Sequence, residues 1–226
     1  MDEGINAETM RKYNIKFSNG FKEIIIPHYD NNFRLVGIRS RLLNPTYIET
    51  QGKYRPTYIN GKSMAHPLSN ILYGLDKNQD EICKTKKVIL FEGEKSVLKL
   101  DSELSDSKYN ISVAVCGSSI SNIQLKLLKD LGVEEIIIAF DKEFKNPKNG
   151  TLRHASNLEY IKKYDEYLEK RRRLLNKVGK HFNVRFISDS QIEPLLEYKN
   201  SPIDAGLDVF MHLCQNAVKY KKSDFI

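Results

Sequence analysis

Residues 88–95 read Val-Ile-Leu-Phe-Glu-Gly-Glu-Lys, an apolar run of strand length that stops abruptly in two carboxylates and a lysine. Continuous apolar runs are typical of strands buried on both faces of a parallel sheet. Two later runs have the same character, ISVAVCG at 111–117 and VEEIIIAFD at 133–141. Helical patterns separate the three runs. Since strands that alternate with helices need crossover connections, we predict an α/β fold with a parallel sheet flanked by helices.

The helical patterns around these strands are amphipathic. The segment 94–104 follows the first strand, and the segment 119–132 follows the second, with Ser118 or Ser119 as the expected N-cap. The apolar face predicted for this second helix comprises Ile123, Leu127, Leu128 and Leu131. Further along, residues 151–178 predict a long charged helix and 182–188 a fourth strand. Ser201-Pro202 predicts the start of a closing helix.

The first part of the chain has a different pattern. A short helix within residues 1–13 is expected, with Asn6 as its cap. KEIIIPHYD at 22–30 and RLVGIRSRLL at 34–43 predict two strands joined by a turn at Asp30–Asn32. Residues 44–70 are expected to be loops and short extended pieces, and a short helix follows. We therefore predict an N-terminal mixed α+β basic subdomain at 1–85, a sheet core at 86–150 and a completing region at 151–226.

Composition limits the class of protein and its partners. The 226 residues carry a formal net charge of +7, which suits a polyanion such as nucleic acid. Cys83, Cys116 and Cys214 show no C-x-x-C spacing, so neither a disulfide framework nor zinc is expected in this chain. No segment reaches the roughly 18 apolar residues of a membrane helix, and the N-terminus is too charged for a signal peptide. We expect a cytoplasmic protein without a membrane partner.

Carboxylates follow two of the predicted strands. Glu92 ends the first strand, and Asp141 and Glu143 end the third, two positions apart and hence on one side of an extended chain. Because ligands of open α/β sheets bind at the carboxyl ends of the strands, these acids should converge. Oxygen ligands favour Mg²⁺ or Mn²⁺, the ions of phosphoryl-transfer enzymes. Gly93 is expected to let the backbone turn sharply there, and Glu94 to be mainly structural.

Together, VILFEGEKSVL, VAVCGSSISNIQLKLL and EEIIIAFDKEF resemble a Toprim domain, whose signature is a glutamate after the first strand and an Asp-x-Asp after a later one. Upstream, EIIIPHYDNNFRLVGIRSRLL, GKYRPTY and NILYGLD are similar to the segment that precedes Toprim in DnaG-type primases. The order matches over roughly residues 20–145. The resemblance is closest to primase-like proteins of phages and mobile elements of Gram-positive bacteria.

The resemblance implies roles for the acids. Glu92 would be the Toprim glutamate, a metal ligand or general acid/base, and Asp141 would be its catalytic and metal-binding partner. Glu143 stands where the family has the second aspartate, and its longer side chain shifts the metal position. KNSPIDAG at 199–206 resembles a later acidic segment, in which Asp204 would be a metal ligand and Asn200 replaces a carboxylate. The number of bound metals therefore stays open.

The same resemblance implies a basic surface for template and nucleotide phosphates. Its members are Arg39, Arg41, Lys53 and Tyr54, and alternation places the two arginines on one strand face. Arginine forks suit phosphates, and tyrosine stacks on bases. Lys95 is expected either to approach a triphosphate or to be a solvated helix lysine. The charged run EKRRRL at 169–174 is expected to be a solvated helix face.

The resemblance implies a DNA primase catalytic core that makes short RNA primers from NTPs on single-stranded DNA with Mg²⁺ or Mn²⁺. Its partners would be the template, the NTPs and a replicative helicase. Two alternatives stay open, namely a Toprim nuclease and a non-catalytic single-strand-binding replication module. A complete DnaG-type primase also has an N-terminal zinc-binding domain and a C-terminal helicase-related domain. Because this sequence contains neither, we expect a core cut from a larger polypeptide or a natural minimal protein.

Overall fold

The computed structural model describes residues 4–104, 106–145, 158–189 and 194–220, and it contains two main sheets and seven α-helices within those ranges. The helices are α1 (Ala7–Lys12), α2 (Pro45–Gln51), α3 (Leu75–Thr85), α4 (Glu94–Glu103), α5 (Asn122–Asp130), α6 (Leu158–Val178) and α7 (Leu207–Gln215). The strands are β1 (Lys16–Ser18), β2 (Glu23–Tyr29), β3 (Leu35–Leu42), β4 (Tyr54–Pro56), β5 (Tyr58–Ile59), β6 (Lys62–Ser63), β7 (Lys87–Phe91), β8 (Ser112–Ala114), β9 (Glu135–Ile138), β10 (Asn183–Phe186) and β11 (Val218–Lys219). Residues 151–157 of the predicted long helix lie outside the described residues.

The larger sheet has the strand order β11-β10-β9-β7-β8. β10, β9, β7 and β8 run parallel, as the alternation of strands and helices predicted. β11 was not predicted, and it pairs antiparallel with β10 at the edge of the sheet. The α/β fold class with a Toprim-type parallel sheet is thus confirmed, with one antiparallel edge strand added.

Both faces of this sheet are covered, which explains the unbroken apolar run in β7. Val88 and Leu90 point into one core cluster, together with residues of α3, α5 and the end of α6. Ile89 and Phe91 point into the other cluster, together with α4 and α7, where the Phe91 and Phe210 ring centroids are 5.6 Å apart. Neither face of the strand meets water, so a polar alternation would have cost free energy on one side.

The smaller sheet is antiparallel, with the order β1-β2-β3-β4, and it confirms the predicted hairpin. Asp30 forms the turn because its Oδ1 accepts hydrogen bonds from the backbone N–H groups of Asn32 and Arg34. Asn6 caps α1 as expected, accepting from the Thr9 backbone N–H at 2.8 Å. Ile26 of β2 is buried in the same cluster as Phe91. The mixed α+β subdomain therefore shares a core with the Toprim-type sheet.

Four local features differ from the predictions. Residues 44–70 contain the predicted loops and short extended pieces, β4 to β6, but also the helix α2, which begins at Pro45 with Asn44 as its cap. The N-cap of α5 is Ser121, since Ser121 and Gln124 form a reciprocal capping box that Ser118 and Ser119 cannot form with this helix.

The apolar face of α5 also differs from the prediction, because Ile123 is 49% exposed whereas Leu125 is buried. The closing helix is divided. Pro202–Ala205 is a single 3₁₀ turn, and Gly206, at φ +95°, separates it from α7. None of the described helices combines the length and the apolar character needed to cross a membrane.

Gly37 of β3 lies so close to the His66 ring that a larger residue does not fit without a shift. A Cβ at this position would lie 2.0 Å from Nδ1 of His66, so alanine has to displace that ring. We expect Gly37→Ala to lower the free energy of unfolding by about 1–3 kcal/mol, the usual cost of overpacking. Gly20→Ala is the matched control, because a Cβ there meets nothing within 4 Å and should cost less than about 0.5 kcal/mol. Denaturant unfolding of both variants measures the difference, and equal midpoints would contradict the expectation.

Candidate active site

A cleft of about 600 Å³ lies at the carboxyl ends of β7 and β9, opposite β3 and β4 of the smaller sheet. Eight of the nine residues predicted from sequence to form the site line it: Arg39, Lys53, Tyr54, Glu92, Lys95, Asp141, Glu143 and Asp204. The ninth, Arg41, is only 6% exposed and is not part of the cleft lining. The predicted convergence of residues that are distant in sequence is therefore present.

Glu92 and Asp141 form the acidic centre of the cleft. Glu92 follows Phe91 at the end of β7. The backbone N–H of Asp141 donates a hydrogen bond to the carboxylate of Glu92. Burial and the neighbouring charges of Asp141 and Glu143 raise the pKa of Glu92 to about 7. Burial and the charge of Asp204 raise the pKa of Asp141 to about 6. Both carboxylates are thus poorly compensated in their ionised forms.

The Oδ1 atom of Asp141 gives a direct sign of missing charge compensation. It is buried, and no described group donates a hydrogen bond to it. Neither Asp141 nor Glu92 forms an ion pair with any described residue. A buried carboxylate oxygen without a partner costs free energy, and binding of a hard cation removes this cost. The residues present at this point therefore fit a divalent cation with oxygen ligands.

Glu143 and Asp204 have cationic partners of their own. Nζ of Lys170 lies 2.6 and 2.8 Å from the two carboxylate oxygens of Glu143. Nζ of Lys95 lies 2.7 Å from Oδ1 of Asp204, whose Oδ2 also accepts from the backbone N–H of Ser201 at 3.1 Å. Glu92 and Asp141 are consequently the acids with the greatest unmet demand for a cation.

A buried lysine, Lys142, lies between the two acids that follow β9 and fixes the segment beside them. Nζ of Lys142 lies 2.6 Å from Oδ2 of Asp189 and donates to the Leu196 carbonyl at 2.8 Å. Its backbone N–H donates to the Asn200 carbonyl, and its carbonyl accepts from the Lys199 N–H. These four contacts place the segment that carries Asp204 beside Asp141, although the two acids are distant in sequence.

The opposite wall of the cleft is basic. The guanidinium group of Arg39 lies 5.1 Å from the ring centroid of Tyr54. Arg41 lies against the same ring, at 5.9 Å, and is buried there. Arg41 therefore supports Tyr54 and is not exposed to the cleft, whereas Lys53 is close enough to lower the pKa of Asp141.

Glu94 is buried at the start of α4. Its Oε1 accepts from Nη1 of Arg39 at 2.5 Å, and Nε2 of His28 lies 3.2 Å away. Burial opposes ionisation of Glu94, but the neighbouring His28 and Arg39 side chains outweigh it and lower its pKa to about 2. Glu94 thus holds Arg39 at the rim of the cleft as a charged partner.

Two details differ from expectation. Gly93 has the extended conformation φ −129°, ψ 161°, which any residue adopts, so it makes no sharp turn. Lys170 lies in the charged run predicted to be a solvated helix face and is itself exposed, and in addition it reaches Glu143. Sequence reasoning also missed Tyr198 and Lys199 of the cleft wall. Lys199 opens the KNSPIDAG segment but was given no role, and no local pattern marks Tyr198.

The raised pKa values predict how metal affinity depends on pH. Protons compete with a cation for Glu92 below about pH 7 and for Asp141 below about pH 6, so affinity for Mn²⁺ should fall as the pH is lowered through this range. Paramagnetic resonance of free Mn²⁺ measures the affinity. The Glu92→Gln variant should bind Mn²⁺ more weakly, and its affinity should no longer change with pH near pH 7. A flat profile would exclude both carboxylates as ligands.

Stability should depend on pH in the opposite sense when metal is absent. The folded-state pKa of Glu92 lies above its ordinary value of 4.5. Between pH 4.5 and about pH 7 the folded chain therefore binds more protons than the unfolded chain. The contribution of Glu92 to stability therefore decreases as the pH rises through that window.

Comparison with known proteins places this geometry in context. No family model matches the chain. The chain is 36% identical over 221 residues to the "SPbeta prophage-derived uncharacterized protein YorJ" of Bacillus subtilis (strain 168), covering 97% of this chain and 56% of that protein. It is 32% identical over 124 residues to the "DNA primase" of Chlamydia pneumoniae, covering 54% of this chain and 19% of that protein. The chain thus spans only part of the curated relatives it matches.

Solved structures show the same fold. The zinc-binding and RNA polymerase domains of the Aquifex aeolicus primase superpose with a TM-score of 0.65 at 17% identity, over 97% of this chain and 55% of that one. The "DnaG primase catalytic domain bound to ssDNA" superposes with a TM-score of 0.61 at 16% identity, over 96% of this chain and 70% of that one. The resemblance to DnaG-type primases is thereby confirmed: the chain is a relative of these proteins and has the fold of their catalytic core, with its Toprim sheet.

Proposed function

We propose that this chain is a metal-dependent primase core that joins ribonucleotides on a single-stranded DNA template. The observation that carries the proposal is the cleft, in which the under-compensated acids Glu92 and Asp141 face the cationic side chains of Arg39 and Lys53 and the Tyr54 ring. A nucleoside triphosphate and a nucleic-acid backbone are both polyanions, and they require this pairing of cation-binding acids with fixed positive charge.

Glu92 and Asp141 are the residues that would hold Mg²⁺ or Mn²⁺. A bound divalent ion supplies positive charge for the triphosphate and for the oxygens of the displacement. Glu143 and Asp204 would join them only if Lys170 and Lys95 release their carboxylates. Lys95 lies beside Asp204, and once it has released that carboxylate it would contact a phosphate group of the triphosphate.

The basic wall would guide the template. Arginine forks bind phosphates in a fixed geometry, and the Tyr54 ring, flanked by two guanidinium groups, offers a face on which a base can stack. The solved structure of a DnaG catalytic domain bound to ssDNA supports single-stranded DNA as the partner class. On this proposal residues 1–85 are the basic subdomain, 86–150 the Toprim core and 151–226 its completion. NTPs are the substrates, and a replicative helicase is the expected partner.

The experiment is ribonucleotide incorporation on a panel of single-stranded DNA templates, with Mg²⁺, with Mn²⁺ and with chelator. Labelled RNA products that appear only with metal would support the proposal. A purified zinc-binding domain from a DnaG-type primase is added in a parallel series, because template capture in the relatives can involve that part. Absence of product in both series would contradict primase activity.

The two alternatives give different outcomes in the same assay. Metal-dependent shortening of the DNA would indicate a Toprim nuclease that uses the same acids with water as attacker. Single-stranded DNA binding that is independent of metal and unaffected by Glu92→Gln would indicate a non-catalytic replication module. The ion pairs already formed by Glu143 and Asp204 are the observation that favours retaining this last candidate.

A further inference from the structure

A second cluster of potential metal ligands lies behind the acidic centre. Ring nitrogen, carboxylate oxygen and sulfur atoms of His28, Glu94 and Cys116 all lie within 4.8 Å of one another. His28 comes from β2 of the smaller sheet, Glu94 from the start of α4, and Cys116 from the turn after β8. Glu94 and Cys116 also line the cleft, which provides a route from solvent.

The orientation of His28 points to a missing ligand. The side chain is fully buried, and Nε2 lies 3.2 Å from Oε1 of Glu94, yet no described group forms a well-shaped hydrogen bond with Nε2. On the other side of the ring, Nδ1 of His28 lies 3.1 Å from Nε2 of His66. In the tautomer in which Nδ1 donates to His66, the lone pair on Nε2 faces the Glu94 carboxylate oxygen, as it would in a metal ligand; in the other tautomer Nε2–H donates to that oxygen. Two acceptors in contact repel unless a cation lies between them.

Cys116 adds an independent sign. Its backbone has φ +57°, a left-handed conformation that is costly for a side chain other than glycine or asparagine. That conformation places the thiol beside Glu94 and Arg39. Residues kept in such conformations cluster at functional sites, where the surrounding structure maintains the strain. A hydrogen bond from Sγ to the Ala114 carbonyl is long, at 3.9 Å, so it explains little of the placement.

We propose that His28, Glu94 and Cys116 form a binding site for a borderline or soft divalent transition metal such as Zn²⁺ or Co²⁺. Imidazole nitrogen and thiolate sulfur select these ions over Mg²⁺, so this site and the acidic centre differ in metal preference. On binding, a sulfur–metal bond forms, and the Cys116 thiol gives its proton to solvent. His28 and Glu94 contribute a neutral nitrogen and a carboxylate oxygen.

The surroundings supply the outer contacts that such sites usually have. His66 orients the His28 ring, and Arg39 binds the Glu94 carboxylate. Burial, the neighbouring His28 ring and the Arg39 guanidinium group lower the pKa of His66 to about 4, so His66 is a neutral acceptor near neutral pH. Metal binding would also reduce the charge with which Glu94 holds Arg39, and this couples the site to the basic wall of the cleft.

The cysteine spacing predicted no zinc in this chain. Here the three ligands are 66 and 22 positions apart (94 − 28 and 116 − 94), each on a different element. Such a site arises only when the smaller sheet packs against the Toprim-type sheet. The inference does not depend on primase activity.

The experiment is optical titration of the reduced full chain with Co²⁺ under nitrogen, in the presence of excess Mg²⁺ to occupy oxygen-only sites. A thiolate-to-cobalt charge-transfer band that saturates at one ion per chain is expected. Because carboxylates alone do not give this band, binding at Glu92 and Asp141 is silent. Zn²⁺ should abolish the band by displacement.

Variants assign the ligands. Cys116→Ser should remove the band, whereas Cys83→Ser/Cys214→Ser, in which Cys116 is the remaining thiol, should retain it. His66→Ala should weaken Co²⁺ binding about 10- to 100-fold, as loss of an orienting partner does. The double serine variant decides the matter even if Cys116→Ser fails to fold. Absence of the band in the wild type, or its loss with Cys83 and Cys214, would overturn the proposal.

Discussion

Glu92→Gln and Asp141→Asn should each reduce primer synthesis at least about a hundredfold, because each removes a charge worth several kcal/mol in holding a catalytic cation. Both substitutions keep the size of the side chain. They also relieve rather than create electrostatic strain, since the two carboxylates have raised pKa values in the folded protein. The variants should therefore be at least as stable as the wild type near neutral pH, which separates loss of function from loss of fold.

Initial rates of labelled ribonucleotide incorporation measure the effect, and Mn²⁺ affinity and thermal unfolding are recorded for the same preparations. Glu134→Gln is the matched control, because Glu134 is 63% exposed and pairs only with the surface residue Lys86 among the described residues. Its rate should equal that of the wild type. Rates in Glu92→Gln and Asp141→Asn within a few-fold of the control would rule out these acids as the metal-binding centre.

The largest effect on stability is expected from Lys142→Met. Nζ of Lys142 and the carboxylate of Asp189 form an ion pair in which both side chains are nearly inaccessible, at 2% and 3% exposed. Removing one partner leaves the other as a buried charge without compensation, at a cost of about 3–5 kcal/mol. The backbone N–H groups of Leu195 and Leu196 still donate to Asp189, so the lower end of this range is expected.

Denaturant unfolding measures this cost. Lys126→Met is the matched control, since its partner Asp130 is at the surface and such pairs contribute less than about 1 kcal/mol. Adding Asp189→Asn to Lys142→Met should restore part of the stability, because no buried charge remains and the amide oxygen still accepts from the backbone. If the double variant is no more stable than Lys142→Met, charge burial is not the cause.

Local sequence patterns determined the elements and the class of fold. The apolar runs at 88–91 and 136–139 predict strands because only a sheet covered on both faces accommodates side chains that are apolar in unbroken succession. The turn at Asp30 and the cap at Asn6 follow from side chains that bond to the adjacent backbone. The acids Glu92 and Asp141 could be predicted to converge because the carboxyl ends of parallel strands lie at one edge of the sheet.

Tertiary packing decided which charges meet, and this lies beyond local pattern. Lys170 faces solvent as predicted, and only the path of α6 also brings it to Glu143. Arg39 and Arg41 are two positions apart and lie on one strand face, yet the Tyr54 ring covers Arg41. His28, Glu94 and Cys116 are on three different elements and become neighbours only when the two sheets pack together. Charge pairing depends on distance in space and on burial, and neither is encoded by the spacing of residues along the chain.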